Sequence, residues 1–462
     1  MEIKNKKYKV QILFAILIIA FIFSSAEKSF AQPNGMWYKQ STQDTNYTYN
    51  SVYFANHLTG WICGTHGKIF KTTDGGYNWT QQLTNSYQNQ LVKIEGIPNG
   101  TDTGKYVYSC GYVTNSNPVS GVIQQTTNGG TIWMNNTINY IDFKNLHFIN
   151  AFTGFIIGAR FDDANQGRIY RTTDGGIGAG IHYYSYDDTN ITKLGTFKGI
   201  SFINTNTGWL SVTNTSNVTR LVKTTNMGNN WNVIGTPIQG IYINDIKFIN
   251  ELTGFACGGG ANGTRAKLLK TTNGGLTWDE KTYFDANAFS CMSWAYYWNG
   301  SAYTWRGFVV GENGLVFRTD DLAHTWTQQI SPTINNLNGV YFVNDKVGWA
   351  VGNNGEIIST WWGGVGVNNI STEVPKNYNV YQNFPNPFNP ATTIKFDVLK
   401  TGFVKLEVYD QTGRLTDELV NENLKPGTYS VSWDAKNKPS GIYYYRLTAA
   451  DFAKTMKMSL VK

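Results

Sequence analysis

Cysteine is scarce in this 462-residue chain, and its placement argues against disulfides and structural zinc. Three of the four cysteines occupy one slot of a recurring Gly-aromatic-x-x-Gly-like segment, in which other copies carry Ile157 or Val351. We therefore expect free thiols buried in place of aliphatic side chains. No cysteine spacing suits a zinc site. The cysteines are Cys63, Cys110, Cys257 and Cys291.

Charged residues are also few, at 15% of the chain, and they are balanced over most of its length. The formal net charge of +7 divides into +3 for residues 1–31, +1 for residues 32–371 and +3 for residues 372–462. Because the body of the protein has no net field to attract a polyphosphate backbone, nucleic acid is excluded as an expected partner.

Histidine is rare, and no Ser/His/Asp set or metal-ligand spacing is present. We predict no catalytic residue, no metal and no cofactor. The alternative is a sialidase-like propeller glycoside hydrolase, which needs a pair of carboxylates. Asp162-Asp163 and Asp187-Asp188 are the adjacent acidic pairs in plausible ligand loops, but such pairs usually solvate a turn.

Long hydrophobic runs are absent except near the N-terminus. Lysines precede an apolar run at residues 12–23, and small residues stand at 29 and 31, which predicts a signal peptide over 1–31 cleaved between Ala31 and Gln32. Twelve residues at about 1.5 Å each cover about 18 Å, less than the roughly 30 Å hydrocarbon core. We expect no membrane span after cleavage.

The chain does contain an internal repeat built on Thr-Thr-Asp/Asn-Gly-Gly and a following tryptophan. Trp231, Trp278 and Trp326 are 47 and 48 residues apart. A period near 48 with short apolar runs fits one four-stranded propeller blade, and residues 32–370 accommodate seven. Because Trp37 begins a segment similar to the fourth strand at Trp79, we expect the mature N-terminus to complete the last blade.

The repeated turn resembles the Asp-box of sialidase-type (BNR) repeats through Thr72, Asp74, Gly76 and Trp79. In such a turn the carboxylate accepts backbone N–H bonds, the second glycine permits positive φ, and the tryptophan plugs the blade edge. The longer repeat resembles the photosystem II stability/assembly-factor family of seven-bladed propellers. The resemblance implies a fold and a structural role for the turn.

A composition shift after residue 370 separates a linker, 371–377, from a last domain, 378–462. Alternating runs at 393–398, 404–409, 427–433 and 441–448 predict a small immunoglobulin-like β-sandwich. Its motifs resemble the type A C-terminal sorting domain of the type IX secretion system, which implies a Bacteroidota-type route to the cell surface or medium and contact with that machinery. The central motif is Pro385, Asn386, Pro387, Phe388 and Asn389.

An aromatic insertion between the first and second strands of the sixth copy is the candidate binding site. Clustered rings stack on sugars or anchor protein partners, although a long hairpin can also pack against its own blade. We therefore predict an all-β, monomeric, secreted or surface-displayed propeller that binds an extracellular protein or glycan. The candidate residues are Trp294, Tyr296, Tyr297, Trp298, Tyr303 and Trp305.

Overall fold

The computed structural model describes two compact units, one of them Gly35–Val365 and the other containing Gly366–Lys462. The expected signal peptide and its cleavage bond, Ala31 to Gln32, lie outside the described residues. None of the helices in the described ranges is long and apolar enough to cross a membrane. The described residues are 37–40, 42, 46–83, 89–97, 104–113, 119–160, 166–176, 183–186, 189–260, 265–284, 288–298, 303–361, 368–371, 373–435 and 438–461.

The first unit consists of seven four-stranded antiparallel sheets, the blades of a propeller, so the all-β prediction is confirmed. The first strand of each blade is the innermost. The chain enters through β1 (Tyr38–Gln40). Blade 1 contains β2 (Tyr49–Phe54), β3 (Gly60–Gly64), β4 (Ile69–Thr72) and β5 (Thr80–Gln81). Blade 2 contains β6 (Asn89–Gly96), β7 (Val107–Val113), β8 (Ser120–Thr126) and β9 (Met134–Asn139), and blade 3 contains β10 (Ile141–Phe148), β11 (Gly154–Arg160), β12 (Gly167–Thr172) and β13 (Tyr184–Tyr186).

The later blades repeat this order. Blade 4 contains β14 (Thr196–Phe202), β15 (Gly208–Thr213), β16 (Val218–Thr224) and β17 (Asn232–Gln239), and blade 5 contains β18 (Ile241–Phe248), β19 (Gly254–Gly260), β20 (Ala266–Thr271) and β21 (Asp279–Phe284). Blade 6 contains β22 (Phe289–Trp298), β23 (Tyr303–Gly311), β24 (Val316–Thr319) and β25 (Thr327–Gln328). Blade 7 contains β26 (Leu337–Phe342), β27 (Gly348–Gly352) and β28 (Ile357–Thr360). A short helix, α1 (Thr189–Thr192), precedes blade 4, and 3-10 turns occupy Thr65–Gly67 and Glu312–Gly314.

The N-terminal strand closes the ring, as the repeat predicts. Strand β1 pairs antiparallel with β28, with Tyr38 opposite Ser359. Trp37 is 2% exposed and lies edge-on to Phe342, with ring centroids 5.7 Å apart. Trp79 meets Phe54 in the same way at 5.9 Å in blade 1. Trp37 therefore fills the fourth-strand position of blade 7.

Stacked aromatic pairs hold neighbouring blades together at six seams. In each pair the ring at the end of one inner strand lies on the second-strand ring of the preceding blade. Glycine makes the space, because a Cβ at Gly60 would lie 2.5 Å from the ring of Phe54. The pairs, with centroid distances, are Phe54–Trp349 (3.4 Å), Tyr108–Phe148 (3.5 Å), Phe155–Phe202 (4.6 Å), Trp209–Phe248 (3.9 Å), Phe255–Trp294 (3.8 Å) and Phe308–Phe342 (3.5 Å).

The seam between blades 1 and 2 is built differently. Gly96 stands where the other inner strands end in an aromatic residue. The ring of Tyr53 fills the space, and a Cβ at Gly96 would lie 2.2 Å from it. Tyr53 stacks on Trp61 at 6.1 Å and donates a hydrogen bond to the Ile97 carbonyl at 3.3 Å.

The repeated turn has the hydrogen bonds that its sequence predicts. The Thr72 hydroxyl donates to Asp74 Oδ1 at 2.8 Å and accepts the Gly76 N–H at 2.9 Å. Asp74 Oδ1 also accepts the Asn78 N–H at 2.9 Å, and Gly76 has a φ of +95°. The carboxylate of Asp74 is therefore occupied within the turn.

The second unit contains two four-stranded antiparallel sheets, ordered β29-β34-β31-β30 and β33-β32-β35-β36. Side chains of both sheets form one core that includes Phe396, Trp433 and Tyr445. Phe388 of the sorting motif is buried, and its N–H donates to the Ser459 carbonyl at 3.0 Å. The strands are β29 (Asn368–Ser371), β30 (Asn379–Val380), β31 (Ala391–Val398), β32 (Gly402–Asp410), β33 (Leu415–Leu424), β34 (Gly427–Asp434), β35 (Gly441–Ala449) and β36 (Phe452–Leu460).

The boundary between the units differs from the sequence estimate. Strand β29 pairs with β34, with Asn368 opposite Ser430. Residues 368–370, which the sequence analysis assigned to the propeller, and Ser371, the first residue of the expected linker, thus form an edge strand of the C-terminal unit. Backbone pairing at a sheet edge places few demands on side chains, so sequence alone did not reveal it.

Candidate binding site at the central cavity

A cavity of about 760 Å³ occupies the centre of the propeller and is lined by the inner strands of all seven blades. Some of the lining residues occupy the same position in their respective blades. Each is on the inner strand and pairs with the aromatic residue of the second strand. Glu95 pairs with Tyr108, for example, and Lys247 with Phe255. Six blades contribute a residue of this set to the lining of the cavity: Tyr53, Glu95, His147, Lys247, Ser293 and Tyr341.

Ionisable groups meet in the cavity. His147 Nδ1 and Glu95 Oε1 are 2.9 Å apart. Burial opposes the charge of the Lys93 ammonium, but Cys291, Asp245 and Glu95 favour it and raise the pKa of Lys93. None of these cavity residues was among the candidates predicted from the sequence. Aligning the inner strands shows the signal, a charged residue at alternate positions in Lys93-Ile-Glu95.

Asp245 lies two residues before Lys247 on the same inner strand. Its Oδ2 accepts the Met292 N–H at 3.0 Å and lies 3.5 Å from the Cys291 sulfur. Burial raises the pKa of Asp245, although Lys93 and the Met292 N–H favour the carboxylate. Cys291 itself is a buried free thiol, as are the other three cysteines.

An apolar collar from three consecutive blades lines one side of the cavity, at the end where inner strands lead into their first turns. Ile149, Ile203 and Ile249 line it and are half-buried. Trp305, on β23, lines the same end together with Asn204. The cavity is therefore apolar toward this mouth and charged further inside.

The structure places the predicted aromatic residues in different environments. Trp294 is 7% exposed, stacked on Phe255 in the seam, so its side chain belongs to the core rather than to a binding surface. Tyr296 is 55% exposed and lies 5.0 Å from the Trp305 ring, which is half-buried. Strands β22 and β23 pair as far as Trp298 and Tyr303, whose side chains lie outside what the structure describes.

An arginine holds this hairpin in place. The Arg306 guanidinium lies 4.5 Å from the centroid of the Tyr297 ring. It also binds Asp320, and its Nη1 lies 2.9 Å from Asp345 Oδ2 in the first turn of blade 7. Arg318 binds the same Asp320 carboxylate. The sequence did not reveal this cluster, because Asp320 and Asp345 are 14 and 39 residues from Arg306.

The acidic pairs considered for glycosidase chemistry, Asp162-Asp163 and Asp187-Asp188, lie outside the described residues. Within the ranges that the structure covers, no group of three His, Cys, Asp or Glu side chains is placed to hold a metal ion.

Comparison with known proteins confirms both sequence resemblances. Residues 222–332 match the family model of the photosynthesis system II assembly factor YCF48, and residues 382–462 match that of the secretion system C-terminal sorting domain. The sorting domain directs the protein through type IX secretion to the cell surface or the extracellular space. A search of curated proteins gives no match.

Solved structures of low sequence identity share the fold. YCF48 bound to a D1 peptide is 15% identical, with 72% of this chain and 99% of that chain covered and a TM-score of 0.51. YCF48 from Cyanidioschyzon merolae is 14% identical, with 70% and 98% covered and a TM-score of 0.52. The GH74 xyloglucanase from Xanthomonas campestris is 11% identical, with 84% and 63% covered and a TM-score of 0.52.

Proposed function

We propose that this protein is a non-enzymatic scaffold, secreted or displayed on the cell surface, whose propeller binds a protein or glycan partner with the β22–β23 hairpin. The observation that carries the proposal is the exposed ring of Tyr296 beside Trp305, at the mouth of the central cavity. An exposed aromatic ring packed on a half-buried one is typical of surfaces that a partner covers.

The anchoring of the hairpin supports the same proposal. Arg306 ties it to Asp345 of the next blade, so its rings are held before any partner arrives. A surface that is already ordered loses less conformational entropy on binding. A protein partner is the favoured choice, because a YCF48 propeller of the same fold has been solved with a D1 peptide bound.

A single substitution tests the hairpin. The mature protein is screened on glycan and surface-protein arrays, and the affinity for each hit is measured for the wild type and for Tyr296→Ser. We expect at least about tenfold weaker binding, the loss typical of an interface hot spot, with an unchanged melting temperature because Tyr296 is exposed.

Val233→Ser is the matched control, since Val233 is an exposed apolar residue on the outer strand of blade 4. It should bind normally. If Tyr296→Ser binds every hit as tightly as the wild type, the hairpin is not the binding surface.

The glycosidase alternative has one structural observation in its favour, because two carboxylates, Glu95 and Asp245, line the cavity. Glycoside hydrolysis needs an acid and a base or nucleophile about 5–10 Å apart. Here Glu95 contacts His147, and Asp245 accepts a backbone N–H. We expect no hydrolysis of aryl glycosides or xyloglucan. Turnover that is abolished in a Glu95→Gln/Asp245→Asn variant would replace the binding proposal with an enzymatic one.

A further inference from the structure

We infer that the central cavity binds the carboxylate group of a ligand with an apolar body, with the Lys93 and Lys247 ammonium groups as its partners. The inference rests on the proposed function in one respect, namely that the hairpin face is the face through which ligands enter. It concerns a separate site, inside the ring.

The floor of the cavity offers more hydrogen-bond donors than acceptors. Within the described ranges, neither lysine ammonium nor the Tyr341 hydroxyl has a hydrogen bond or a close ion pair, and all three residues line the cavity. One oxygen of each carboxylate is engaged, since Glu95 Oε1 contacts His147 and Asp245 Oδ2 receives the Met292 N–H, whereas each ammonium group brings several donor hydrogens. A ligand that supplies acceptors therefore fits this floor better than one that supplies donors.

The charge balance favours a singly charged ligand over a multiply charged one. Lys93 and Lys247 are offset by Glu95 and Asp245, so the cavity has no large net positive charge. A phosphate or another multiply charged anion would therefore add more uncompensated negative charge than a monocarboxylate does. A monocarboxylate can instead share the ammonium groups through charge-assisted hydrogen bonds.

The collar defines the rest of the ligand. Ile149, Ile203 and Ile249 form an apolar wall between the charged floor and the mouth, and Trp305 adds an aromatic surface. A sugar acid would bury hydroxyl groups against the isoleucines without hydrogen bonds. An aliphatic chain would instead be stabilised by burying apolar surface there.

Calorimetric titration of the mature, full-length protein with hexanoate tests the inference. We expect one hexanoate to bind, and hexanamide and glucuronate to bind at least tenfold more weakly, because the first lacks the charge and the second lacks the apolar body. A dipeptide ending in isoleucine, with a free or amidated carboxyl group, distinguishes a peptide end from a free aliphatic acid as the source of the carboxylate.

Lys247→Gln is the informative variant, because Lys247 is half-buried, forms no close ion pair among the described residues, and leaves Lys93 in place as the stronger countercharge of Asp245. It should weaken hexanoate binding at least tenfold. Lys346→Gln is the control, an exposed lysine in a first turn on the same side of the propeller, and it should bind hexanoate normally. Lys93 is unsuitable for this purpose, since its removal leaves two acids without a countercharge and can unfold the protein.

Three results would overturn the inference: no hexanoate binding to the wild type, equal binding of hexanoate and hexanamide, or unchanged binding by Lys247→Gln. Its failure is distinguishable from failure of the proposed function. Tyr296→Ser should bind hexanoate normally. If Tyr296→Ser loses array partners but the wild type does not bind hexanoate, only the hairpin site is supported. If hexanoate binds but no array partner is found, only the cavity site is supported.

Discussion

Single residues determine how each pair of blades fits together. At the regular seams a glycine on the second strand leaves room for the ring of the inner strand, as Gly60 does for Phe54. Between blades 1 and 2 the glycine is on the inner strand, at Gly96, and the ring comes from Tyr53. The Gly-aromatic pattern of the sequence is therefore a packing requirement, and its exception has a compensating residue.

Gly96→Ala should destabilise the propeller by about 1–3 kcal/mol, the usual cost of overpacking, because its methyl group would overlap the Tyr53 ring. Urea unfolding measures the change. In a Tyr53→Ala background the same substitution should cost clearly less, since the two residues are in contact. Equal costs in both backgrounds would show that Tyr53 is not what constrains position 96.

The Asp320 carboxylate gives the arginine cluster a defined pH dependence. Burial opposes its charge, but Arg318 and Arg306 outweigh burial and lower the pKa of Asp320 below its usual value. A lowered carboxyl pKa stabilises the fold above the unfolded pKa of about 3.9, and this contribution is lost as pH falls through the folded pKa. The stability difference between the wild type and Asp320→Asn should therefore be constant from pH 7 to pH 5 and shrink below about pH 4. A difference that persists unchanged to pH 2 would contradict this assignment.

At the scale of strands and turns, the sequence predicts most of the propeller because the same local pattern recurs. Even the third copy, which lacks the tryptophan, keeps its blade: Tyr183 is buried and its hydroxyl donates to Gln125 Oε1 at 3.1 Å. The exceptions are informative. Strands β33 and β36 were not predicted. In β33 the polar residues interrupt the alternation that marks a half-buried strand, whereas β36 does alternate at Met456, Met458 and Leu460 and was overlooked.

The candidate site was only partly predictable, for a related reason. The aromatic hairpin is local in sequence, so its position on blade 6 could be inferred, but burial of Trp294 depends on Phe255 of the neighbouring blade. The charged cavity joins residues that are far apart in the sequence, such as Lys93 of blade 2 and Asp245 of blade 5. No periodic pattern records which side chains meet across a ring.

The closing strand provides the test at this scale. Trp37→Ala removes a buried ring from blade 7 and should cost about 3–5 kcal/mol of unfolding free energy. Trp37→Phe is the control, and it should lose less because an aromatic ring still meets Phe342. Unchanged denaturant unfolding of Trp37→Ala would show that β1 is dispensable for closing the ring in solution.

At the scale of the whole molecule, the propeller and the C-terminal unit have separate cores. The C-terminal core contains residues from Val380 to Leu460 only, whereas the propeller cores lie between neighbouring blades and include the closing contact of Trp37. Among the described residues, each of these cores takes its side chains from one unit. We therefore expect the ring to fold without the sorting domain.

Deletion of residues 366–462 should therefore leave a folded propeller that is no longer exported. The ring closes through β1 and β28, both of which lie before the deletion, while the sorting domain that directs type IX secretion is removed. We expect the truncated protein to melt within a few degrees of the propeller transition of the full chain and to remain in the periplasm, as measured by fractionation of expressing cells.

Deletion of residues 378–462 alone is the comparison. This deletion retains β29, whose partner β34 is lost, and the resulting protein should remain in the periplasm in the same way. Secretion of either truncated form at the yield of the full chain would mean that the C-terminal unit is not the export signal, whereas loss of the melting transition would mean that the propeller depends on it for folding.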